Sequence, residues 1–258
     1  APQDVGMSTE KLGAVSMAVQ DLVAKEKIAG ASVLVARKGK VAFFETFGMM
    51  NKAEGKPVDE DTIFRFYSMT KPVTSVAVMM LVEQGKVRYA GLSNCSVDLM
   101  RKAQAIHPIT SLQPPYSMLQ RQIEEEILPF CAEHNIGVVC YGTLVKGILT
   151  GKYNHETIKD FADDDHRRRG RLFQEPHFST VLDLVARLQS IAGRNGKSLA
   201  QLAIAWVLRR REVTAAIVGA KSPAQIQETA EAGDWKLSAA DAAEIDRYLQ
   251  ENSEEVAG

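Results

Sequence analysis

The chain has 258 residues, 45% hydrophobic and 24% charged, proportions that fit a soluble globular protein of one large domain or two small ones. A formal net charge of -1 excludes a broad basic surface for nucleic acid or anionic lipid, and no run approaches the roughly 18 apolar residues of a membrane span. Cys95, Cys131 and Cys140 are odd in number and lack CxxC or Cys/His spacing, which fits a reducing, cytoplasmic setting with buried free thiols better than a disulfide framework.

Ala1 to Val5 carry neither a basic region nor an apolar one, so no leader is expected there. Ser8-Thr9-Glu10 opens a helix whose apolar residues Leu12, Val15, Val19, Leu22 and Val23 recur at helical spacing, and Gly30 ends it. Residues 32–36 and 41–45 flank Arg37-Lys38-Gly39-Lys40 and read as a β-hairpin with glycine where positive φ is needed. Asn51 to Asp61 read as a loop.

The stretch Asp61-Thr62-Ile63-Phe64-Arg65-Phe66-Tyr67-Ser68-Met69-Thr70-Lys71-Pro72 leads into an apolar helix. Ser68 and Lys71, three apart at a helix start, share one face, so the amine can reach the hydroxyl and, partly desolvated, remove its proton. Ser68 also fits the plain role of a helix-opening hydroxyl, with Lys71 solvated one turn on. With the preceding helix and hairpin, residues 1–88 resemble the N-terminal part of the serine β-lactamase and penicillin-binding-protein-like esterase family. The resemblance implies that Ser68 is the acylated nucleophile and that Lys71 supports its activation. The family's Y-x-N or S-D-N motif and its later K-T-G-like strand have no counterpart here: Tyr116-Ser117-Met118 lacks the Asn, and Ala220-Lys221-Ser222 belongs to another pattern.

Leu81-Val82-Glu83-Gln84-Gly85-Lys86 ends that helix and runs into a different regime, strand then helix, repeated four times. Strands are expected at 87–92, 110–113, 136–141 and 215–220. Helices are expected at 97–106, 120–134, 180–192, 198–209, 223–232 and 238–250. Repeated βα units imply a parallel sheet with function at the C-terminal ends of its strands. Those ends read Ser93-Asn94, Gln113, Tyr141 and Lys221-Ser222.

Four motifs in order, Gly91-Leu92-Ser93-Asn94, Ser111-Leu112-Gln113-Pro114-Pro115-Tyr116-Ser117, residues 136–152 and Val218 to Glu228, resemble the C-terminal half of an aldo-keto reductase over residues 86–258. The fold expected is therefore α/β: half of a (β/α)8 barrel, residues 89–258, preceded by a helix, hairpin and helix of a serine-hydrolase fold in residues 1–88. The resemblance implies NADP bound in an extended form, with Ser93, Asn94 and Gln113 on the carboxamide and Tyr141 stacked on the nicotinamide. It puts Gly142, Thr143 and Leu144 along the pyrophosphate, and Lys221, Ser222, Gln225 and Glu228 at the adenosine end. Each position also has a plain reading, Tyr141 as strand-end packing and Gln113 as a loop polar group.

The sequence departs from that family in several places. Gly142-Thr143 stands for the usual Ser-Pro, Gln225 for a frequent Arg, and Thr229 for Asn. The family's catalytic Asp, Tyr, Lys and His belong to the first half of its barrel; Asp61, Tyr67 and Lys71 share those names but sit in one loop and helix turn. The charge run Asp163 to Arg171 reads as a solvated loop, or as a cover whose arginines meet phosphate. His107, His134, His155, His166 and His177 show no metal spacing, and no metal is expected. The expected function is NADP-linked carbonyl reduction by hydride transfer, with little turnover. The alternatives are an acyl-serine esterase acting through Ser68 and Lys71, and a non-catalytic hybrid. A carbonyl or ester substrate and a homo-oligomer, formed across open strand edges, complete the expectation.

Overall fold

The computed structural model describes residues 1–252 and divides into two compact units, residues 1–76 and the chain from Ala77 on. In the first unit, the Ser8 hydroxyl accepts the Lys11 N–H at 3.2 Å and starts α1, Thr9–Ala24. The hairpin pairs β1, Gly30–Arg37, with β2, Lys40–Asn51, through Lys38 (φ 53) and Gly39 (φ 71). Two consecutive left-handed residues make the turn whose twist matches antiparallel strands. Both strands outrun their apolar cores of five residues, because ladder hydrogen bonds hold exposed residues as well as buried ones. A short β3, Lys56–Pro57, pairs with β2 inside the segment expected to be loop. Asn51 Oδ1 accepts the N–H groups of Ala53 and Glu54 and turns the chain back. Val5, Leu12, Phe47 and Val58 are the buried apolar residues described in this unit.

Helix α2, Thr70–Glu83, follows a 3-10 turn at Tyr67–Met69 and has no buried residue. Gly85 (φ 69) ends it, and the N–H groups of Lys86 and Val87 return to Leu81 O at 2.9 and 3.3 Å. Those bonds assign residues 86 and 87 to the helix end, so the strand expected from 87 begins later, as β4, Ala90–Ser93.

The second unit continues with α3, Val97–Gln104; β5, Ile109–Gln113; α4, Ile127–Glu133; and β6, Gly137–Cys140. It ends with α5, His177–Arg194; α6, Leu199–Leu208; β7, Val213–Ala216; α7, Pro223–Ala230; and α8, Ala239–Glu251. Strands β4, β5, β6 and β7 form one parallel sheet in chain order, which makes the unit α/β as expected. Leu112, Val138 and Cys140 face a core built with Val181, Leu184, Leu188, Ile191, Leu202 and Trp206 of α5 and α6. Alternate residues Gly91, Ser93 and Gln113 lie exposed.

Two further expected elements differ. The single helix expected at 120–134 is a 3-10 turn, Gln122–Glu124, followed by α4. Pro129 is the reason: its ring excludes the bond to the carbonyl four residues back, so the helix must start within one turn of it. Glu124 pins the break, accepting from Tyr116 Oη at 2.5 Å and from Arg121 at 2.8 Å. The last strand is Val213–Ala216 rather than 215–220, and its ladder ends where Ile217 N–H meets Cys140 O at 2.7 Å. Among the described residues no helix is long and apolar enough to cross a membrane.

Candidate functional site

Beyond β6 the chain turns at Gly142 (φ 73), where a side chain would meet open space but would have to adopt a left-handed backbone. That turn drives Thr143 inward, to 1% exposure, and its Oγ1 has no hydrogen-bond partner among the described residues. Val145 (φ 48), Lys146 (φ 54) and Gly147 (φ 94) follow, an unusual run of left-handed residues, and least expected at a β-branched valine. Local bonds hold it: Leu149 N–H to Leu144 O at 3.2 Å, and Thr150 Oγ1 to Gly147 O at 2.7 Å.

Beyond β7, residues 217–220 leave the sheet and deliver Lys221 to the start of α7. Gln225 Oε1 accepts the Lys221 N–H at 2.7 Å, and the Ser222 hydroxyl accepts the Gln225 N–H at 3.4 Å as the helix cap. The two loops border an open cavity of about 620 Å³. Among the described residues, Lys146, Lys152, Arg167 and Lys221 line it with one carboxylate, that of Glu228. Arg167 lies over the Phe161 ring at 4.4 Å, and its Nε donates to Asp165 Oδ1 at 2.9 Å. That pairing holds the Asp165 carboxyl far below the usual carboxylate range. The charge run expected to be a solvated loop therefore turns one arginine inward, stacked and paired.

Gly142, Thr143, Leu144, Lys221, Gln225 and Glu228 of the expected site line this cavity, and Ser222 stands beside it as the cap. Ser93, Asn94, Gln113 and Tyr141 gather separately at the ends of β4, β5 and β6. Ser93 Oγ donates to Gln113 O at 3.0 Å, as does Asn94 N–H at 3.2 Å, and Tyr141 Oη donates to Asn94 Oδ1 at 3.1 Å. Ser93, Asn94 and Gln113 are exposed. In the first unit, Lys71 Nζ donates to Ser68 Oγ at 2.9 Å, with both residues exposed. Sequence reasoning missed Lys146 and Lys152; the signal was two lysines flanking Gly147 and Gly151, both at positive φ.

An unpartnered buried hydroxyl, and three lysines beside an arginine already paired with Asp165, fit a ligand bearing several phosphate groups. Cys131 and Cys140 do not fit a nucleophile's part: burial pushes Cys131 up to about 11 and Cys140 up to about 12. Among the described residues no group of three or more His, Cys, Asp or Glu side chains could hold a metal ion.

The model for the aldo/keto reductase family matches residues 70–250, and the beta-lactamase model matches residues 15–91. The chain is 35% identical to Aldo-keto reductase YhdN of Bacillus subtilis, over 69% of this chain and 54% of the relative. It is also 35% identical to Aldo-keto reductase yakc [NADP(+)] of Schizosaccharomyces pombe, over 76% and 58%. Among solved structures, the glycerol dehydrogenase of Gluconobacter oxydans superposes with a TM-score of 0.63 at 34% identity, covering 67% of this chain and 52% of that one. The chain thus spans about half the length of the curated relatives it matches. With a family match across well over half of its residues, the chain belongs to the aldo/keto reductase family.

Proposed function

We propose that the chain binds NADP through a half-barrel, residues 89–258, in the manner of a carbonyl-reducing aldo-keto reductase, with little hydride transfer of its own. The observation that carries this reading is the cavity between the loops after β6 and β7, where Thr143 keeps a buried hydroxyl without a partner and the cations outnumber the carboxylates. Lys221, at the start of α7, suits a ribose phosphate better than a hydroxyl, because its positive charge makes a charge-assisted bond to a dianion. When bound, the reduced dinucleotide supplies a hydride. The protein must then protonate the forming alkoxide, and general acid catalysis is worth roughly 10²- to 10⁴-fold. Ser93, Asn94 and Gln113 carry no acid, and Tyr141 gives its hydroxyl to Asn94. Titration with NADPH and NADH, followed by fluorescence, tests the reading: saturable binding with NADPH the tighter is expected, and no saturation by either ends it.

A second reading, acyl transfer to Ser68 from a small ester, rests on the 2.9 Å contact from Lys71 and on the beta-lactamase match to residues 15–91. Labelling by a serine-directed phosphonate that Lys71→Ala abolishes would support it; an unlabelled wild-type chain leaves Ser68 as a helix-start hydroxyl and the N-terminal residues 1–88 as a non-catalytic partner of the half-barrel. The free thiols agree with a cytoplasmic setting. Strands β4 and β7 each have one neighbour in the sheet, which favours a homo-oligomer pairing those edges. A sharp monomer in sedimentation at micromolar concentration would exclude it.

A further inference from the structure

The sheet of the first unit runs β1, β2, β3, and its two edges are built differently. One edge is β3, only Lys56–Pro57, and both residues protect it: Pro57 has no N–H to offer and Lys56 carries a charge. The other edge is β1, the eight residues Gly30–Arg37, which has β2 as its single neighbour. From Gly30 to Ala36 it carries neither a charge nor a proline. Its register shift, between Val35 and Ala36, falls near the hairpin turn. The edge strands of the second unit's sheet, β4 and β7, have four residues each.

Which groups this edge offers follows from the ladder. At the turn end, Arg37 pairs with Lys40 across a two-residue loop, and at the other end Ala29 O accepts the Met49 N–H at 2.9 Å. Both bonds set one alternation: the odd-numbered residues of β1 bond β2, and the N–H and C=O groups of Gly30, Ser32 and Leu34 point away from it. The side chains add an apolar face. Leu34 lies opposite Phe44, and the two are 55% and 37% exposed. Ser32 and Ala36, two residues to either side of Leu34, share that face and are exposed as well.

Such a strand is complementary to itself. Laid antiparallel to a second copy about a two-fold at Leu34, it sets Leu34 against Leu34, Ser32 against Ala36 and Val33 against Val35, so outward donors of each copy meet outward acceptors of the other. The apolar row of Phe44 and Leu34 then continues into Leu34 and Phe44 of the second copy. Arg37, the one charge of the strand, comes to lie against Ala31, whereas a parallel pairing would set the two arginines side by side. We propose that β1 is a dimerisation edge whose occupant is β1 of a second copy of this chain, joining two three-stranded sheets into one of six strands. This contact lies wholly in the first unit and is separate from the edges of β4 and β7.

Sedimentation velocity of the full chain across the micromolar range tests it, with two variants. Ser32→Pro removes an outward N–H without touching the bonds to β2, and Leu34→Lys puts a charge where two leucines meet. Each is expected to raise the Kd of the dimer at least about tenfold with circular dichroism unchanged, because each substitution occurs twice across the two-fold. Hydrogen exchange of the unmutated chain gives a reading that needs no variant. The N–H groups of Ser32 and Leu34 are expected to slow as protein concentration rises, while that of Val33, bonded to β2, keeps its rate. A wild-type chain that stays monomeric would overturn the proposal, as would exchange at Ser32 and Leu34 that ignores concentration. A dimer that both variants leave intact would overturn it too, and would move the contact to another surface.

Discussion

Replacing Thr143 by valine separates a residue kept for a ligand from one kept for the fold. Valine conserves shape and branching, so the change removes one oxygen and leaves no cavity. Thr143 is 1% exposed and its Oγ1 lacks a protein partner, so the free protein carries the desolvation cost of a buried, unsatisfied hydroxyl, about 1–3 kcal/mol. Thr143→Val should recover at least about 1 kcal/mol of it, raising Tm by roughly 2–4 °C for a unit of this size. Binding should move the other way. A hydroxyl that donates to a phosphate oxygen is worth about 1.5–3 kcal/mol, so Kd for NADPH should rise roughly 10- to 150-fold. Thermal melts by circular dichroism and calorimetric titration of the same preparations give both numbers. A variant with lower Tm, or one that binds NADPH as the parent does, refutes the argument that the hydroxyl waits for a ligand.

Lys221→Ala should remove about 1.5–3 kcal/mol of NADP affinity and leave NAD nearly unchanged, and added salt should weaken NADP more than NAD; equal losses for both dinucleotides would reduce Lys221 to a helix-start residue. Cys131 and Cys140 are held neutral by burial, so a thiol reagent at pH 8 should label Cys95 first and the other two only on unfolding, read by mass spectrometry. Because their folded values of about 11 and about 12 lie above the ordinary 9.0, the stability they contribute is intact below pH 9 and declines as pH climbs from there through 12, which urea melts across that range measure. Leu188, fully buried on α5, should cost about 2–5 kcal/mol when replaced by alanine, seen as a fall in the urea midpoint at constant slope.

The sequence determined the elements that depend on near neighbours. Ser8, Ser96, Ser198, Ser222 and Ser238 start helices because each hydroxyl reaches an N–H three residues on, a relation contained in a few consecutive residues. Lys38-Gly39 makes the hairpin turn for the same reason, and the alternation of strand and helix after Gly85 was enough to expect a parallel sheet. Strand ends were less legible, since the bond from Ile217 to Cys140 depends on the register of β7 against β6, and periodicity carries no register between segments so far apart in chain order. The site shows the same division. Gly142, Thr143, Leu144 and Lys221 could be named from their motifs, but the motifs ran the expected ligand contacts on through Ser93 and Gln113 without a break. Only the tertiary structure brought Lys146, Lys152 and Arg167 to one cavity and left the strand-end cluster outside it. It also left the Thr143 hydroxyl buried without a partner. Burial and the convergence of charge are properties of three-dimensional packing, set by which loops the parallel register of β6 and β7 places side by side.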